Sequence, residues 1–195
     1  MARISILVLV LLAAVGVIFA MLPSPPPRVA GNVRMEDTKV VLFPEADRDA
    51  RWTFQSSLVT HDPDSRESVV QGDSKGIRWV KGKVDLTLNA RDITVDANEN
   101  LRVQTAVVEV PSDCITMNLG QEGAAPVYID QVGGYRAPRG EFIYPDMRVK
   151  SDALTASFDL ESMDLTNAEY EMVYRADGTA AECVNGRIVE PEENK

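Results

Sequence analysis

The sequence of 195 residues predicts an all-β domain, a sandwich, jelly roll or barrel, exported behind one N-terminal transmembrane helix. Three observations carry that prediction. An uncharged apolar run opens the chain. Beyond it, apolar and polar residues alternate, and no stretch sustains the i, i+3, i+4, i+7 spacing of a helix. Units of strand, Asp-led polar turn and strand recur at intervals of about thirty residues.

The apolar run is "ISILVLVLLAAVGVIFAML", Ile4 to Leu22. At about 1.5 Å rise per residue it makes about 28 Å of helix, close to the ~30 Å hydrocarbon core of a bilayer. Residues 1–3, with Arg3 and the amino terminus, read as a short cytoplasmic N-terminus, which places the acidic remainder outside. A cleavable secretory signal is the alternative. The apolar region of such signals is shorter than this one, and no site with small residues at the cleavage positions is evident. No Cys follows the run, so a lipoprotein anchor is excluded. Either reading exports the rest of the chain. "PSPPPR", Pro23 to Arg28, is stiff and extended and cannot continue the helix. Residues 23–35 are taken as a spacer, 36–190 as the exported β-domain, and 191–195 as a charged, disordered tail.

Within the domain, Val84, Leu86 and Leu88 alternate with Asp85, Thr87 and Asn89. Ile93 and Val95 alternate with Thr94 and Asp96. Leu101 and Val103 alternate with Arg102 and Gln104. Ile115, Met117 and Leu119 follow, then Leu154, Ala156, Phe158 and Leu160, then Tyr170 and Met172. Residues 120–140 are rich in Gly and Pro and read as a loop-heavy connection with one strand at Val127 to Ile129. Asn185-Gly186, between Cys183-Val184 and Arg187-Ile188, is a type I′ hairpin signal. The repeat aligns Asp62, Asp96 and Asp159 as leaders of three polar turns, and one register is left over for the loop-heavy middle. A lone hairpin is marginal in water, whereas stacked hairpins share one apolar face.

Composition narrows function. Lys and Arg number 20 against 30 Asp and Glu, a net charge of −10. That balance argues against nucleic acid, which needs clustered cations on phosphates, and against docking on an anionic membrane surface. Two cysteines, Cys114 and Cys183, lie in the exported part, where one disulfide or two separate buried thiols are both open readings. The single histidine, His61, lies in a turn beside two Asp and reads as a solvated turn residue, since zinc sites gather several ligands. "DPDSRE" resembles half of a calcium loop but lacks its glycine and its closing acid. No nucleophile elbow, zincin, Walker or dinucleotide motif occurs. No metal, cofactor or catalytic residue is expected.

The anchor, the spacer and the pieces "WTFQSSLVTHDPDSRESVVQGDSKGI", "LNARDITVDANENLRVQTAVVEV" and "VKSDALTASFDLESMDLTNAEYEMVY" together resemble the bitopic LptC-like component of the lipopolysaccharide transport bridge. The hairpin is similar to the OstA-type unit shared with its periplasmic partner LptA. The resemblance covers roughly Arg51 to Tyr174 and the anchor. It departs in the Gly- and Pro-rich middle, in the added C-terminal segment with Cys183, and at Pro44 in the first strand region. It implies a twisted, open β-jellyroll in the periplasm, held by a single pass in the inner membrane. It also implies an inner-membrane ABC transporter complex and a periplasmic OstA-type β-jellyroll protein as partners, the latter by edge-strand pairing, and an amphipathic, lipopolysaccharide-like lipid as cargo. The candidates for lining a lipid groove are Trp52, Phe54, Leu86, Leu88, Ile93, Val95, Val103, Met117 and Phe158. For each, plain core packing is the competing reading. An envelope scaffold or binding protein with a closed core, its affinity in loops such as "GGYRAPRG", is the alternative for the whole domain, and a secreted enzyme a distant third.

Overall fold

Alternation of apolar and polar residues along this chain becomes strand, and the polar intervals become turns. The computed structural model describes residues 32–173 and 181–189. The apolar run Ile4 to Leu22, the Pro-rich stretch to residue 31, residues 174–180 and the tail 191–195 lie outside the described residues. Among the described residues there is no α-helix. The strands are β1 (Val33–Leu42), β2 (Ala50–Asp62), β3 (Glu67–Val80), β4 (Lys83–Val95), β5 (Leu101–Val103), β6 (Thr105–Val110), β7 (Ile115–Gly120) and β8 (Val127–Asp130). They continue as β9 (Gly134–Ala137), β10 (Gly140–Ile143), β11 (Met147–Ser151), β12 (Ala153–Ala156), β13 (Met163–Thr166), β14 (Glu169–Met172), β15 (Glu182–Val184) and β16 (Arg187–Val189).

β1 to β14 form one 14-stranded sheet in which paired strands run antiparallel. β1, β2, β3 and β4 are long and pair in sequence. At β4 the sheet branches. One arm runs β4-β5-β8-β9-β12-β13 and the other β4-β6-β7-β10-β11-β14. The branches exist because a line of corners crosses the sheet. β5 breaks from β6 at Gln104, β9 from β10 at Pro138, which has no N–H to give a ladder, and β13 from β14 at Asn167, whose φ is 52°. On the long strands the same line passes through Asp37 (φ 48°), the bulge between Gln55 and Leu58, Gly72 (φ 78°) and Asp92 (φ 52°). A bulge adds a residue and bends the strand, so the sheet curls into a half-barrel. The bend also resets the side-chain alternation. Phe54 and Val59 both face inward although they are five positions apart, and so do Leu88 and Ile93.

Two of the corners are tied by buried serines in matching positions. Ser56 Oγ lies 2.9 Å from Leu58 O and 3.0 Å from Gln71 O, two and fifteen residues ahead. Ser151 Oγ lies 2.5 Å from Ala153 O and 2.9 Å from Thr166 O, at the same two offsets. Each hydroxyl can give its one proton to either carbonyl at the break in the ladder, and Thr166 O also accepts the Asp152 N–H at 3.0 Å.

The predicted Asp-led turns close four hairpins at one rim. Asp62 Oδ1 accepts the Asp64 N–H (2.9 Å), Asp96 Oδ1 that of Asn98 (2.8 Å), and Asp159 Oδ1 that of Glu161 (3.1 Å). The fourth is Asp130, whose Oδ1 accepts the N–H groups of Val132 (2.8 Å) and Gly133 (2.7 Å). It fills the register left over in the middle of the chain. Residues 120–140, read as mostly loop, therefore carry β8, β9 and the start of β10. Three of their glycines, Gly120, Gly134 and Gly140, serve close approach rather than looseness. Gly134 has φ 85°, and a Cβ there would lie 2.2 Å from Ala156 O. Three further details correct the sequence reading. β1 begins at Val33 and takes in the last three residues assigned to the spacer. β12 ends at Ala156, so Phe158 belongs to a turn and not to an alternating strand. And Ser157, whose N–H donates to Ser162 O, occupies the place that Asp96 holds in the second hairpin, where the Asp96 N–H donates to Asn100 O. Asp159 comes two residues later.

Cys114 and Cys183 are joined as a disulfide, their Cα atoms 5.8 Å apart. The bond ties the β15–β16 hairpin, with Asn185 and Gly186 both at positive φ, to the turn between β6 and β7.

Gly134→Ala is expected to destabilise the domain by more than about 2 kcal/mol, because strain at positive φ adds to a backbone clash; a smaller shift in urea unfolding would show that the β9–β12 contact yields. The turn carboxylates generate a pH dependence. The Asp64 N–H, then the Ser65 hydroxyl, hold Asp62 below the usual carboxylate range. The Ser157 hydroxyl, then the Glu161 N–H, do the same for Asp159. Folded values below the unfolded value of about 3.9 mean that this stabilisation is complete above that pH and is lost as pH falls through the folded values. Asp62→Asn/Asp159→Asn keeps an acceptor in each turn and removes the titration. Its melting temperature should fall less steeply than wild type below about pH 4; parallel curves would sink the account.

Candidate functional site

The inward face of the curled sheet is a set of cross-strand rows. In an antiparallel sheet residues in register share a face, so a row can be followed strand by strand. One runs Val40, Phe54, Gly76, Leu88, Val108, Met117, Phe142, Val149, Tyr170. It begins on β1 and ends on β14, the two free edges of this arm, without a charged residue. At about 4.8 Å per strand it spans about 38 Å. Gly76 is the one gap in the row, and the Phe54 ring fills it, 2.5 Å from where a Cβ would stand. A second row in the other arm runs Val95, Leu101, Ile129, Tyr135, Ala156, Met163 and ends at the free edge of β13.

Eight of the nine groove candidates lie in one buried cluster. Trp52, Phe54, Leu88, Ile93 and Met117 are fully buried, and Leu86, Val95 and Val103 nearly so. Phe158 is half-buried against that cluster. The aromatic members set the geometry. Trp52 and Phe54 stack with centroids 5.7 Å apart, and Phe158 meets Tyr135 edge to face at 5.2 Å. Buried side chains from both arms fall in one cluster, so the interior is closed in this conformation. Only its margins are open: Met35, Val40 and Leu42 on the β1 side and Tyr144, Met147 and Leu165 on the other pack against the cluster while remaining partly exposed.

A seam of polar contacts joins the rim of Asp-led turns to the opposite rim. Trp52 Nε1 donates to Gln131 Oε1 at 3.0 Å, and Gln131 Nε2 donates onward to Glu99 O at 2.9 Å. The Gln131 N–H donates to Asn100 Oδ1 (3.1 Å), and the Glu45 N–H to Glu99 Oε2 (2.9 Å). Beside them Arg78, its side chain 5% exposed, pairs with Asp47 at 2.5 Å and with Asp85. Its guanidinium lies 4.1 Å from the centre of the Phe158 ring, a cation–π contact made across the seam. Arg78 thus binds β3, the β1–β2 loop and β4 into one rim and holds the turn of the other. The Tyr135 hydroxyl and Arg78 Nε lie buried beside this cluster with no protein partner. Burial, then the charge of Asp85, pushes the Tyr135 phenol far above its ordinary pKa, so it stays a neutral donor.

The sequence reading missed Arg78, Gln131, Asp47 and Asp85. Arg78 did leave a signal. In "SKGIRWV" it shares the parity of Ser74 and Gly76, and a cation at an inward position of a strand requires buried partners. Gln131 left none, because its role depends on a turn 79 residues from Trp52 in sequence. Among the described residues no group of three or more His, Cys, Asp or Glu is placed to hold a metal ion. His61 instead meets Ser68, Nδ1 to Oγ at 2.9 Å, across the β2–β3 pair. No protein-family model matches this chain, and no curated protein matches it either.

Arg78→Ala should cost about 3 kcal/mol, since it removes a buried ion pair and leaves a hole under Phe158. Arg78→Met keeps the stem over the ring and frees two carboxylates that already reach water, at about 1 kcal/mol. Urea denaturation of both checks this; equal losses would place the stabilisation in charge rather than in packing.

Proposed function

We propose that this chain is a membrane-anchored periplasmic bridge module. It receives an amphipathic, lipopolysaccharide-like lipid from an ATP-driven inner-membrane transporter and passes it to a second β-jellyroll protein on the way to the outer membrane. The observation that carries this reading is the uncharged row from Val40 to Tyr170, which crosses a curled sheet from one free edge to the other. A long apolar floor between two unpaired edges is unusual, because exposed edges invite pairing with other chains. It suits a module meant to be continued by the next. β1 follows the spacer, so its edge would meet the transporter side, and β13 and β14 would meet the outgoing partner by β-strand addition.

Loading needs no catalytic group in this chain. The acyl chain would enter between the arms, and the interior residues would exchange contact with one another for contact with lipid, so their apolar area stays out of water. Burying an acyl chain of about twelve carbons returns about 9 kcal/mol. Opening the seam gives up the Trp52–Gln131 hydrogen bond, worth about 1 kcal/mol, and lets water take over part of the Arg78 cluster. The gain from burying the acyl chain is counted from water and keeps a loaded chain from escaping into it; a chain handed over from the bilayer gains little by the transfer itself, so loading draws on the ATP-driven delivery. The sealed interior supports a second reading, a scaffold or binding protein whose core never opens.

The two readings separate by photocrosslinking. The full chain is expressed in its membrane with a benzophenone amino acid in place of Phe54 or Val95, both inward, or of Tyr128, exposed on the outward face of β8. The bridge reading expects a lipid adduct at Phe54 and Val95 and none at Tyr128. A clean apo mass at both inward sites would leave the closed scaffold.

A further inference from the structure

The net charge of −10 hides an uneven distribution. On the outward face of β1, β2 and β3 a cleft of about 330 Å³ is lined by Lys39, Val41, Arg51, Lys75, Ile77 and Trp79, with no carboxylate in its lining. Lys39, Gln55 and Lys75 stand in one cross-strand row, which sets the two ammonium-bearing strands about 10 Å apart. Val41, Thr53 and Ile77 form the next row, and Arg51 faces Trp79 beyond it. Lys39, Arg51 and Lys75 make no ion pair among the described residues. Of the nearby acids, Asp49 lies 3.6 Å from Lys81 and Asp73 3.9 Å from Arg91, while Asp37 and Asp73 line a separate cleft on the far side of Lys39. Trp79 lies half-buried on this face, its Nε1 donating to Thr53 Oγ1 at 3.4 Å and its ring under the Arg51 guanidinium at 5.1 Å.

We propose that this face docks on the anionic phospholipid headgroups of the membrane that holds the N-terminal run. Unpaired cations around a half-sunk tryptophan and two aliphatic side chains match a headgroup layer, which is anionic outside and apolar beneath. Charge complementarity favours this face, because on a −10 chain its lining gathers three cations and no carboxylate. Distance permits it. The face includes β1, which begins ten residues after the apolar run ends at Leu22, and ten residues reach at most about 35 Å. Docking here leaves the inward row and the β13 and β14 edges untouched. The proposal rests on the membrane anchor and not on what the interior carries, so lipid crosslinking can fail while docking stands, and the reverse.

Two tryptophans make the test internal, because Trp52 is fully buried and only Trp79 is near the surface. The full chain is reconstituted in phosphatidylcholine vesicles carrying a headgroup spin label, with or without about one third phosphatidylglycerol. Docking predicts quenching of the Trp79 emission only in the anionic vesicles and its loss at about 0.5 M salt, where screening is short-ranged. Lys39→Gln/Lys75→Gln should weaken docking about thirtyfold, as two cations near an anionic surface would, while Lys39→Arg/Lys75→Arg retains it. Quenching that is absent from anionic vesicles overturns the proposal and leaves the cleft to an acidic protein partner. Equal quenching in neutral vesicles, or no change in salt, overturns it as well. The lipid and salt comparisons on the wild-type chain decide the matter even where a variant fails to fold.

Discussion

A sheet whose inner face is uniformly apolar has to bury that face, and this chain has no α-helix among its described residues to cover it. The row from Val40 to Tyr170 is the constraint from which the rest follows. Fourteen strands in one layer bury such a row only if the sheet bends over itself, so every long strand must pass a corner. The corners account for the oddities of the chain: positive φ at Asp37, Gly72, Asp92 and Asn167, the bulge at Gln55 and Leu58, and the buried Ser56 and Ser151. Each serine sits where a ladder is interrupted. A carbonyl left without a partner inside a protein costs about 1–3 kcal/mol, and a small hydroxyl meets that demand without occupying core volume.

Bending brings two rims together, and their chemistry differs from that of the interior. The four Asp carboxylates satisfy turn N–H groups at the surface, where water and hydrogen bonds compete nearly evenly. Arg78 and Gln131 each satisfy their own partners where water is scarce. Buried ion pairs contribute little net stability against apolar replacements of the same shape, yet breaking one is costly. Such groups hold a single arrangement of the rims more than they deepen the energy well. That property suits an interior whose two arms must meet in register and, in the bridge reading, part again for cargo.

Much of the fold was legible along the chain. Alternation located most strands, and inward positions such as Leu86, Leu88, Val103 and Met117 were read on the correct face. Asp62, Asp96 and Asp159 revealed the repeat, because an Asp that caps its own turn is a local device. The stretch 120–140 misled for an equally local reason. Gly134 and Pro138 look like loop residues, and only the approach of Ala156 to Gly134 shows that the glycine makes room for a neighbouring strand. Phe158 matched an alternating pattern by coincidence of spacing, and its turn carries it instead onto Arg78.

By itself, then, the sequence determined the all-β class, the hairpin unit, the apolar set and the acidic exterior, since each rests on neighbours a few residues apart. Tertiary structure alone decided that the apolar face runs unbroken between two free edges and that it is sealed by Arg78 and Gln131. It also gathered Lys39, Arg51 and Lys75 into one cleft on an otherwise acidic chain. Those features join residues tens of positions apart, and a one-dimensional pattern holds no record of which strands a bent sheet will lay side by side.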